Sequence, residues 1–463
     1  MEQNLLLQNP WWENTELIQQ DPHLKKVAEL PFQYQSHVIT DDDLDCSGVI
    51  TLRGPRQVGK TTFLKMLIRK LLQAGKSSQS VFYFSTDLVA NEKELFSLIH
   101  NYIQFAPQGK RYIFLDEITI VDRWEYAIKH VVDLGLAEDI LFILTSSSSF
   151  DLRRGGERLP GRRLISQPDR VLLPLTFREY CLLQNFDEVE PINVQNWYDS
   201  LLEKLPRLRV FYPKIQSYFQ QYLKYGGFLM AISDFMQKGS ISEQTLETYK
   251  TVVVSDFEKL KKDRIILRNI IRQTLDTLAT PISWNGLAQD LGSVSVNTVK
   301  EYVQLLADSF SIFILEFLEK DHQRASARKN KKLFPFDPFI YQVFASIAGK
   351  DLPESIEFES KKIEGIVGSA LLRVTESELF HGFANLMSTF YWRSARGKEV
   401  DFVVIWNDEE VPIEVKYQSR IGLNDYTTIK RSFQKGLVLT KDTFFQEEAV
   451  IGVPVSCFLY LLM

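Results

Sequence analysis

Cysteine is scarce in this 463-residue chain. Its three cysteines, Cys46, Cys181 and Cys457, are scattered and form no pair with metal-ligand spacing. That excludes a disulfide framework and a zinc site, and fits a reducing compartment. Long hydrophobic runs are also missing. No apolar stretch approaches the roughly 18–20 residues needed to cross a bilayer. The opening residues, 1–14, carry no basic region ahead of their apolar patch and read as a poor signal peptide. A cytoplasmic protein without a membrane partner is expected. Positive charge is not in excess either: 54 Lys and Arg stand against 59 Asp and Glu, a net charge of −5. The whole chain is therefore not an electrostatic nucleic-acid binder, and any such contact must come from local basic patches. What remains is ordinary for a globular protein, 45% hydrophobic and 24% charged. The length suits about two to four domains.

The first of these is a nucleotide-binding engine. In "GVITLRGPRQVGKTTFLKMLIRKLLQAG", residues 49–52 read as a short strand. From Thr61 an amphipathic helix follows, with Phe63, Leu64, Leu67, Ile68 and Leu71 on one face. Between them lies Gly54-x-x-x-x-Gly59-Lys60-Thr61, in the strand–loop–helix setting that a phosphate-binding loop requires. Gly54, Pro55, Arg56, Gln57, Val58, Gly59, Lys60, Thr61 and Thr62 are the expected cradle, with backbone N–H groups turned to the β-phosphate. Lys60 is placed to reach the β/γ oxygens, and Thr61 to hold Mg²⁺.

"KRYIFLDEI" is an apolar strand ending in Asp116-Glu117. Asp116 is expected to order the Mg²⁺ shell and Glu117 to polarise the attacking water. Glu directly after Asp favours an extra strand between this one and the P-loop strand. Residues 140–144 read as a further buried strand. The hydroxyls of residues 145–149 that follow stand where a group senses the γ-phosphate, with Ser147 the expected contact. Of the arginines in "FDLRRGGERLPGRR", Arg162, after Pro160-Gly161, is the first choice for an arginine finger. A solvated basic loop is the alternative there.

The order "NPWW", "RGPRQVGKTT", "YIFLDEI", "LTSSSS…LPGRR", "LPLTFREY", "YLKYGGF" resembles bacterial and archaeal AAA-type ATPases, near the STAND branch, that carry a C-terminal domain of restriction-nuclease type. The resemblance spans nearly the whole chain. It implies that Gly54, Lys60, Thr61, Asp116 and Glu117 carry nucleotide chemistry, with ATP and Mg²⁺ as cofactors. One departure is visible: Ser146 stands where such relatives have glycine.

The rest of the chain divides by pattern. Residues 173–265 read as a helical lid rich in Phe, Tyr and Leu, after a core at 1–172. In residues 266–320, "PISWNGLAQDLGSVSVNTVKEYVQLLADSFSIFIL" reads as helix, turn, helix and hairpin strand, a winged helix. Ser295 or Asn297 can cap the second helix, and Val299, Tyr302, Val303 and Leu306 point inward. Only Asn297, Lys300 and Gln304 face out as polar readers, so the module is either a DNA contact or structural. Residues 321–345 hold Arg324, Arg328, Lys329, Lys331 and Lys332, read as a basic linker that either neutralises phosphates or is simply exposed.

Residues 346–463 follow the order of a PD-(D/E)xK nuclease-like core: helix, three meandering strands, helix, strand. The overall expectation is an α/β chain: P-loop NTPase core, lid, winged helix and nuclease-like domain. Asp401 and Glu414 lie on adjacent strands and Glu364 on the preceding helix, and all three are candidate Mg²⁺ ligands. Lys416 shares the face of Glu414 and is the candidate to orient or deprotonate an attacking water. Two functions follow. One is an ATPase acting on DNA or RNA through a Mg²⁺-dependent nuclease-like domain. The other is a STAND-like nucleotide switch whose last domain docks a partner protein without cleavage. A finger acting in trans would require a homo-oligomer.

Overall fold

The computed structural model describes residues 2–146, 159, 165, 168–292, 294–375, 388–433 and 435–462. The described residues divide into two compact units, one within residues 1–173 and the other within residues 174–463.

The first unit is built on five parallel strands: β1 Gly48–Arg53, β2 Val81–Ser85, β3 Arg111–Asp116, β4 Ile140–Thr145 and β5 Asp169–Val171, in spatial order β2-β3-β4-β1-β5. The expected extra strand, β4, lies between β1 and β3. Almost every residue of β1 to β4 is buried, as continuous apolar runs in a parallel sheet demand. Helices α1 Glu2–Gln8, α2 Pro22–Ala28, α3 Asp41–Asp45, α4 Lys60–Gln73, α5 Glu92–Phe105 and α6 Trp124–Asp133 surround it. Phe82, Ile113 and Phe142 pack one sheet face with Leu95, Ile99 and Ile128 of α5 and α6. Ile50, Tyr112 and Ile143 pack the other face with Leu64 and Ile68 of α4.

The "NPWW" stretch closes the sheet's open edge. The Asn9 side chain donates to Tyr83 O at 2.9 Å and accepts from Tyr83 N at 2.7 Å, imitating a strand residue. Trp11 and Trp12 both donate through Nε1 to Val81 O at 2.9 Å, and Gln8 accepts from Ser85 N at 2.8 Å. Residues 81, 83 and 85 are those whose backbone faces away from β3, so the edge is satisfied by side chains.

The second unit opens with helices α7 Phe177–Leu183, α8 Trp197–Tyr225, α9 Leu229–Lys238, α10 Glu243–Lys259, α11 Arg264–Asp276, α12 Trp284–Asp290 and α13 Val296–Asp308. Ser295 is the cap of α13, accepting from Thr298 N at 3.1 Å. Val299, Tyr302, Val303 and Leu306 are its buried face. β6 Ile312–Glu319 then forms antiparallel pairs with β7 Arg324–Ala325 and β8 Lys332–Pro335. Two more helices follow, α14 Pro338–Ala348 and α15 Ile356–Thr375. Next come β9 Thr389–Arg393, β10 Glu399–Trp406, β11 Glu409–Lys416, α16 Thr427–Ser432, β12 Gly436–Thr440, β13 Phe445–Glu447, β14 Val450–Pro454 and α17 Val455–Leu461.

These strands make one nine-stranded sheet, β13-β14-β12-β11-β10-β9-β6-β7 with β8 on β6. Two features differ from the sequence reading. The strand after the helix-turn-helix pairs in parallel with β9, Glu316 opposite Phe390, and so belongs to the C-terminal sheet. The segment read as a basic linker contains β7 and β8. Its Lys331 and Lys332 are buried, although Arg324, Arg328 and Lys329 are exposed. Pairing of β8 with β6 turns Lys332 inward, and ion pairs make that burial tolerable.

The "YGGF" break has a steric cause. Asp337, the N-cap of α14, accepts from Phe339 N and Gly227 N, both at 2.9 Å. A Cβ on Gly226 would lie 1.9 Å from Asp337 Oδ1, and one on Gly227 would lie 2.0 Å from Leu175 O.

Candidate functional site

In the first unit the loop after β1 turns on two glycines in the left-handed region, Gly54 at φ 150° and Gly59 at φ 103°. Gly54 has no room for a side chain: a Cβ would stand 2.1 Å from Leu172 O. Gly59 faces open space and caps α4, so the N–H groups at the start of α4 can face an anion. Pro55, Arg56, Gln57 and Val58 span the loop between them, and Lys60, Thr61 and Thr62 form the first turn of α4. Lys60 is buried, and its Nζ donates to Gly54 O and Pro55 O at 2.9 Å each.

Asp116 closes β3 beside α4 and gathers hydroxyls. Thr61 Oγ1 donates to its Oδ2 at 2.6 Å, Tyr83 OH donates to the same oxygen at 3.1 Å, and Thr145 Oγ1 donates to Oδ1. Burial, then Asp116 itself, pushes the Tyr83 phenol far above its ordinary pKa, so it stays a donor. Lys65, one turn beyond Thr61, places Nζ 3.4 Å from the Tyr83 ring centroid and 3.5 Å from Asp21 Oδ2. Burial lowers the pKa of Lys65, though Asp21 opposes it.

Glu117 follows in the left-handed region, φ 56° and ψ 36°. Its carbonyl accepts from Thr86 Oγ1 at 2.9 Å and its N–H donates to Thr145 Oγ1 at 3.3 Å. Such backbone strain in a non-glycine residue persists only when its surroundings fix it. Ser146 is buried and bonded to Thr119. Ser147 and Arg162 lie outside the described residues. Tyr83 and Lys65 escaped the sequence reading. The alternation in "VFYFS" marks Tyr83's face, but which neighbour it meets depends on register with β3.

In the second unit Asp401 of β10, Glu414 and Lys416 of β11 and Glu364 of α15 come to one region. Asp401 Oδ2 accepts from Val415 N at 2.8 Å. Lys416 Nζ lies 2.5 Å from Glu414 Oε1. Glu414 Oε2 is buried without a hydrogen-bond partner among the described residues. The sequence reading missed two members, Lys332 and Glu399. Lys332 Nζ lies 2.8 Å from Glu364 Oε1 and 2.6 Å from Glu399 Oε1, and Arg393 Nε lies 2.6 Å from Glu399 Oε2.

Gly365 and Gly368 let α15 approach closely enough for this. Cβ atoms there would meet Tyr341 OH at 2.3 Å and Phe313 Cζ at 2.7 Å. Burial pushes the Glu414 carboxyl up to about 8, with Asp401 adding to it and Lys416 opposing. Burial likewise lifts Glu364 to about 8 against the pull of Lys332. Burial would lower the Lys332 ammonium, but Glu364, Asp401 and Glu399 raise it above its ordinary value.

The two regions differ in their fitness for a metal. Thr61 and Asp116 present adjacent oxygens beside the loop and suit Mg²⁺ held together with a nucleotide. Among the described residues no group of three or more His, Cys, Asp or Glu is arranged to hold a metal. Asp401, Glu414 and Glu364, the expected Mg²⁺ ligands of the second unit, are not such a group in this arrangement.

Comparison with known proteins agrees on the first unit. Residues 47–181 match the AAA domain family, so the chain carries an AAA-type P-loop ATPase domain. Residues 216–351 and 363–458 match two domains of unknown function, DUF8612 and DUF4143. No curated protein matches the chain. Among solved structures, the Aeropyrum pernix ORC2 protein in its ADPNP–ADP complexes is 17% identical, with a TM-score of 0.34 over 65% of this chain and 88% of that one. The Aeropyrum pernix ORC1 protein in complex with DNA is 13% identical, with a TM-score of 0.28 over 73% and 96%. AMPPCP-bound DnaA from Aquifex aeolicus is 13% identical, with a TM-score of 0.24 over 58% and 84%. Among the described residues no helix is long and apolar enough to cross a membrane.

Proposed function

We propose that the chain binds and hydrolyses ATP in its first unit, and that the nucleotide state switches its second unit as a docking module for a partner protein or nucleic acid. The ATPase part rests on one observation. Thr61 donates to Asp116 at 2.6 Å directly beside a glycine loop carrying Lys60, and Glu117 follows Asp116.

Within the loop Lys60 bonds the Gly54 and Pro55 carbonyls. An arriving triphosphate offers stronger, charged acceptors, and Lys60 would exchange those carbonyls for β/γ oxygens. The N–H groups at the start of α4 would bind the β-phosphate. Thr61 and Asp116 would hold Mg²⁺, whose charge, when bound, offsets that of the phosphates. Glu117, fixed by Thr86 and Thr145, would orient the attacking water and take up its proton. Ser147 as the γ-phosphate contact and Arg162 as a finger stay part of the proposal.

Turnover of ATP by the pure protein tests this. Lys60→Ala should reduce it by at least ~100-fold. Glu117→Gln should slow kcat by about 10²–10⁴-fold while leaving nucleotide binding intact. Equal turnover in Lys60→Ala and the parent chain would sink the ATPase reading.

For the second unit, docking is favoured over cleavage by a Mg²⁺-dependent nuclease site. Lys416, the residue needed to activate water, is held by Glu414, and Asp401 is engaged by backbone. The check is incubation with single-stranded, double-stranded and branched DNA and with RNA, with and without ATP, in Mg²⁺ and Mn²⁺. No cleavage is expected. Cleavage that disappears in Lys416→Ala would establish the nuclease reading instead.

A further inference from the structure

We infer that Lys332 is the resident cation of the second unit's carboxylate cluster, which keeps its arrangement without a divalent metal. This rests on the docking reading of that unit and names the residue that makes it so.

Four carboxyl groups from three elements influence one another here: Glu364 from α15, Glu399 and Asp401 from β10, and Glu414 from β11. Groups so placed can ionise together only beside a counter-charge. In an oxygen-ligand metal site it would be Mg²⁺, which demands near-octahedral oxygen ligands at roughly 2.0–2.1 Å and usually keeps several waters. Here an ammonium supplies it. Lys332 is fully buried, and its Nζ bridges Glu364 at 2.8 Å and Glu399 at 2.6 Å. An ammonium has three donors and no acceptor, and two of those three are used by carboxylates of different elements. The other positive groups follow the same pattern. Lys416 holds Glu414 at 2.5 Å and Arg393 holds Glu399 at 2.6 Å. Asp401 spends Oδ2 on the Val415 N–H.

The origin of Lys332 separates this from an ordinary ion pair within the β9–β12 region. Lys332 lies on β8, before α14 and α15 in the chain. It arrives because β8 pairs with β6, Leu315 opposite Lys332, and β6 in turn pairs with β9, Phe317 opposite Tyr391. Ser295-capped α13 leads directly into β6. The helix-turn-helix segment thus delivers its own strand, and the cation on β8, into the sheet.

The test is a Mn²⁺ titration of the nucleotide-free full-length chain, followed by electron paramagnetic resonance and calorimetry. The parent chain and Asp401→Asn should show the same Mn²⁺ uptake, with no site tighter than about 1 mM that depends on Asp401. A stoichiometric Mn²⁺ site in the parent chain, lost in Asp401→Asn, overturns the inference. A second arm uses Lys332→Met, which keeps the stem and removes the charge. This variant should melt well below the parent, and Mn²⁺ should raise its melting temperature while leaving that of the parent unchanged. If Lys332→Met does not fold, that is the strongest form of the expected loss, and the parent titration still decides the metal question. If it melts like the parent, Lys332 is not the counter-charge. Mn²⁺ binding without cleavage of nucleic acid overturns this inference alone, whereas cleavage overturns the docking reading beneath it.

Discussion

Asp116 accepts hydrogen bonds from three hydroxyls, and they are not equivalent. Under the proposed function Thr61 would turn to the metal held with the nucleotide, while Thr145 and Tyr83 would keep the carboxylate's plane. A hydrogen bond to a charged group contributes about 1.5–3 kcal/mol. Thr145→Val, which keeps the shape and loses the hydroxyl, should therefore lower ATP turnover by roughly 10- to 150-fold. It also frees the Glu117 N–H, which Thr145 accepts at 3.3 Å. Steady-state kinetics would check this, and a Thr145→Val enzyme at parental kcat would show that Asp116 needs no such support. Lys60, Thr61 and Asp116 were legible in the sequence because loop, helix start and strand end are each fixed by local spacing. Tyr83, Lys332 and Glu399 were not. Their partners are set by which strands pair and in what register, and no local pattern encodes that.

Helix α15 shows how an element can accept a poor helix former for the sake of its neighbours. Alanine is intrinsically better than glycine within a helix by about 1 kcal/mol. At Gly368, however, a Cβ would sit 2.7 Å from Phe313 and 2.9 Å from Phe402. Overpacking of this kind costs typically ~1–3 kcal/mol, so overpacking outweighs propensity and Gly368→Ala should destabilise the second unit in a urea melt. Helix α14 depends on Asp337, whose carboxyl is fully buried. Burial raises its pKa from 3.8 to about 6, although the Phe339 and Gly227 N–H groups pull it down.

The folded state therefore binds the Asp337 proton more tightly than the unfolded state. The associated stability is complete below about pH 4 and is lost as pH rises to about 6. Asp337→Asn should remove that slope and, by leaving one N–H without an acceptor, cost ~1–3 kcal/mol. Thermal melts between pH 4 and 7 would show both effects. The helix-turn-helix segment was legible down to its cap and inward face. The destination of β6 was not, because an alternating strand such as "IFILEFLE" serves equally well in a hairpin or in a larger sheet.

Over the whole molecule, stability should follow the division into two units. Each carries its own sheet, and the nucleotide residues all lie in the first. A ligand that binds only the folded form stabilises by about 2.7 kcal/mol at a hundredfold excess over Kd. A nonhydrolysable ATP analogue with Mg²⁺ should move one calorimetric transition and leave the other in place. A single transition that shifts as a whole would mean that the units unfold together. The net charge of −5 belongs to a chain in which buried Lys65, Lys331 and Lys332 are already matched by carboxylates. Bulk charge therefore adds little attraction for nucleic acid, and contact with it would depend on exposed residues such as Arg324, Arg328 and Lys329.

The residues that close β2 lie far ahead of the matched AAA domain, which starts at residue 47. A chain begun at that boundary, or merely shorn of its first dozen residues, keeps every phosphate-binding group yet uncovers a row of unpaired backbone beside Phe82 and Phe84. Such an edge recruits a second strand from wherever one is available. The shortened protein should self-associate through β2 and fail in solution for reasons unrelated to its chemistry. Asn9 and the two tryptophans thus act as a guard against aggregation, held by a segment that a domain boundary drawn at residue 47 leaves out.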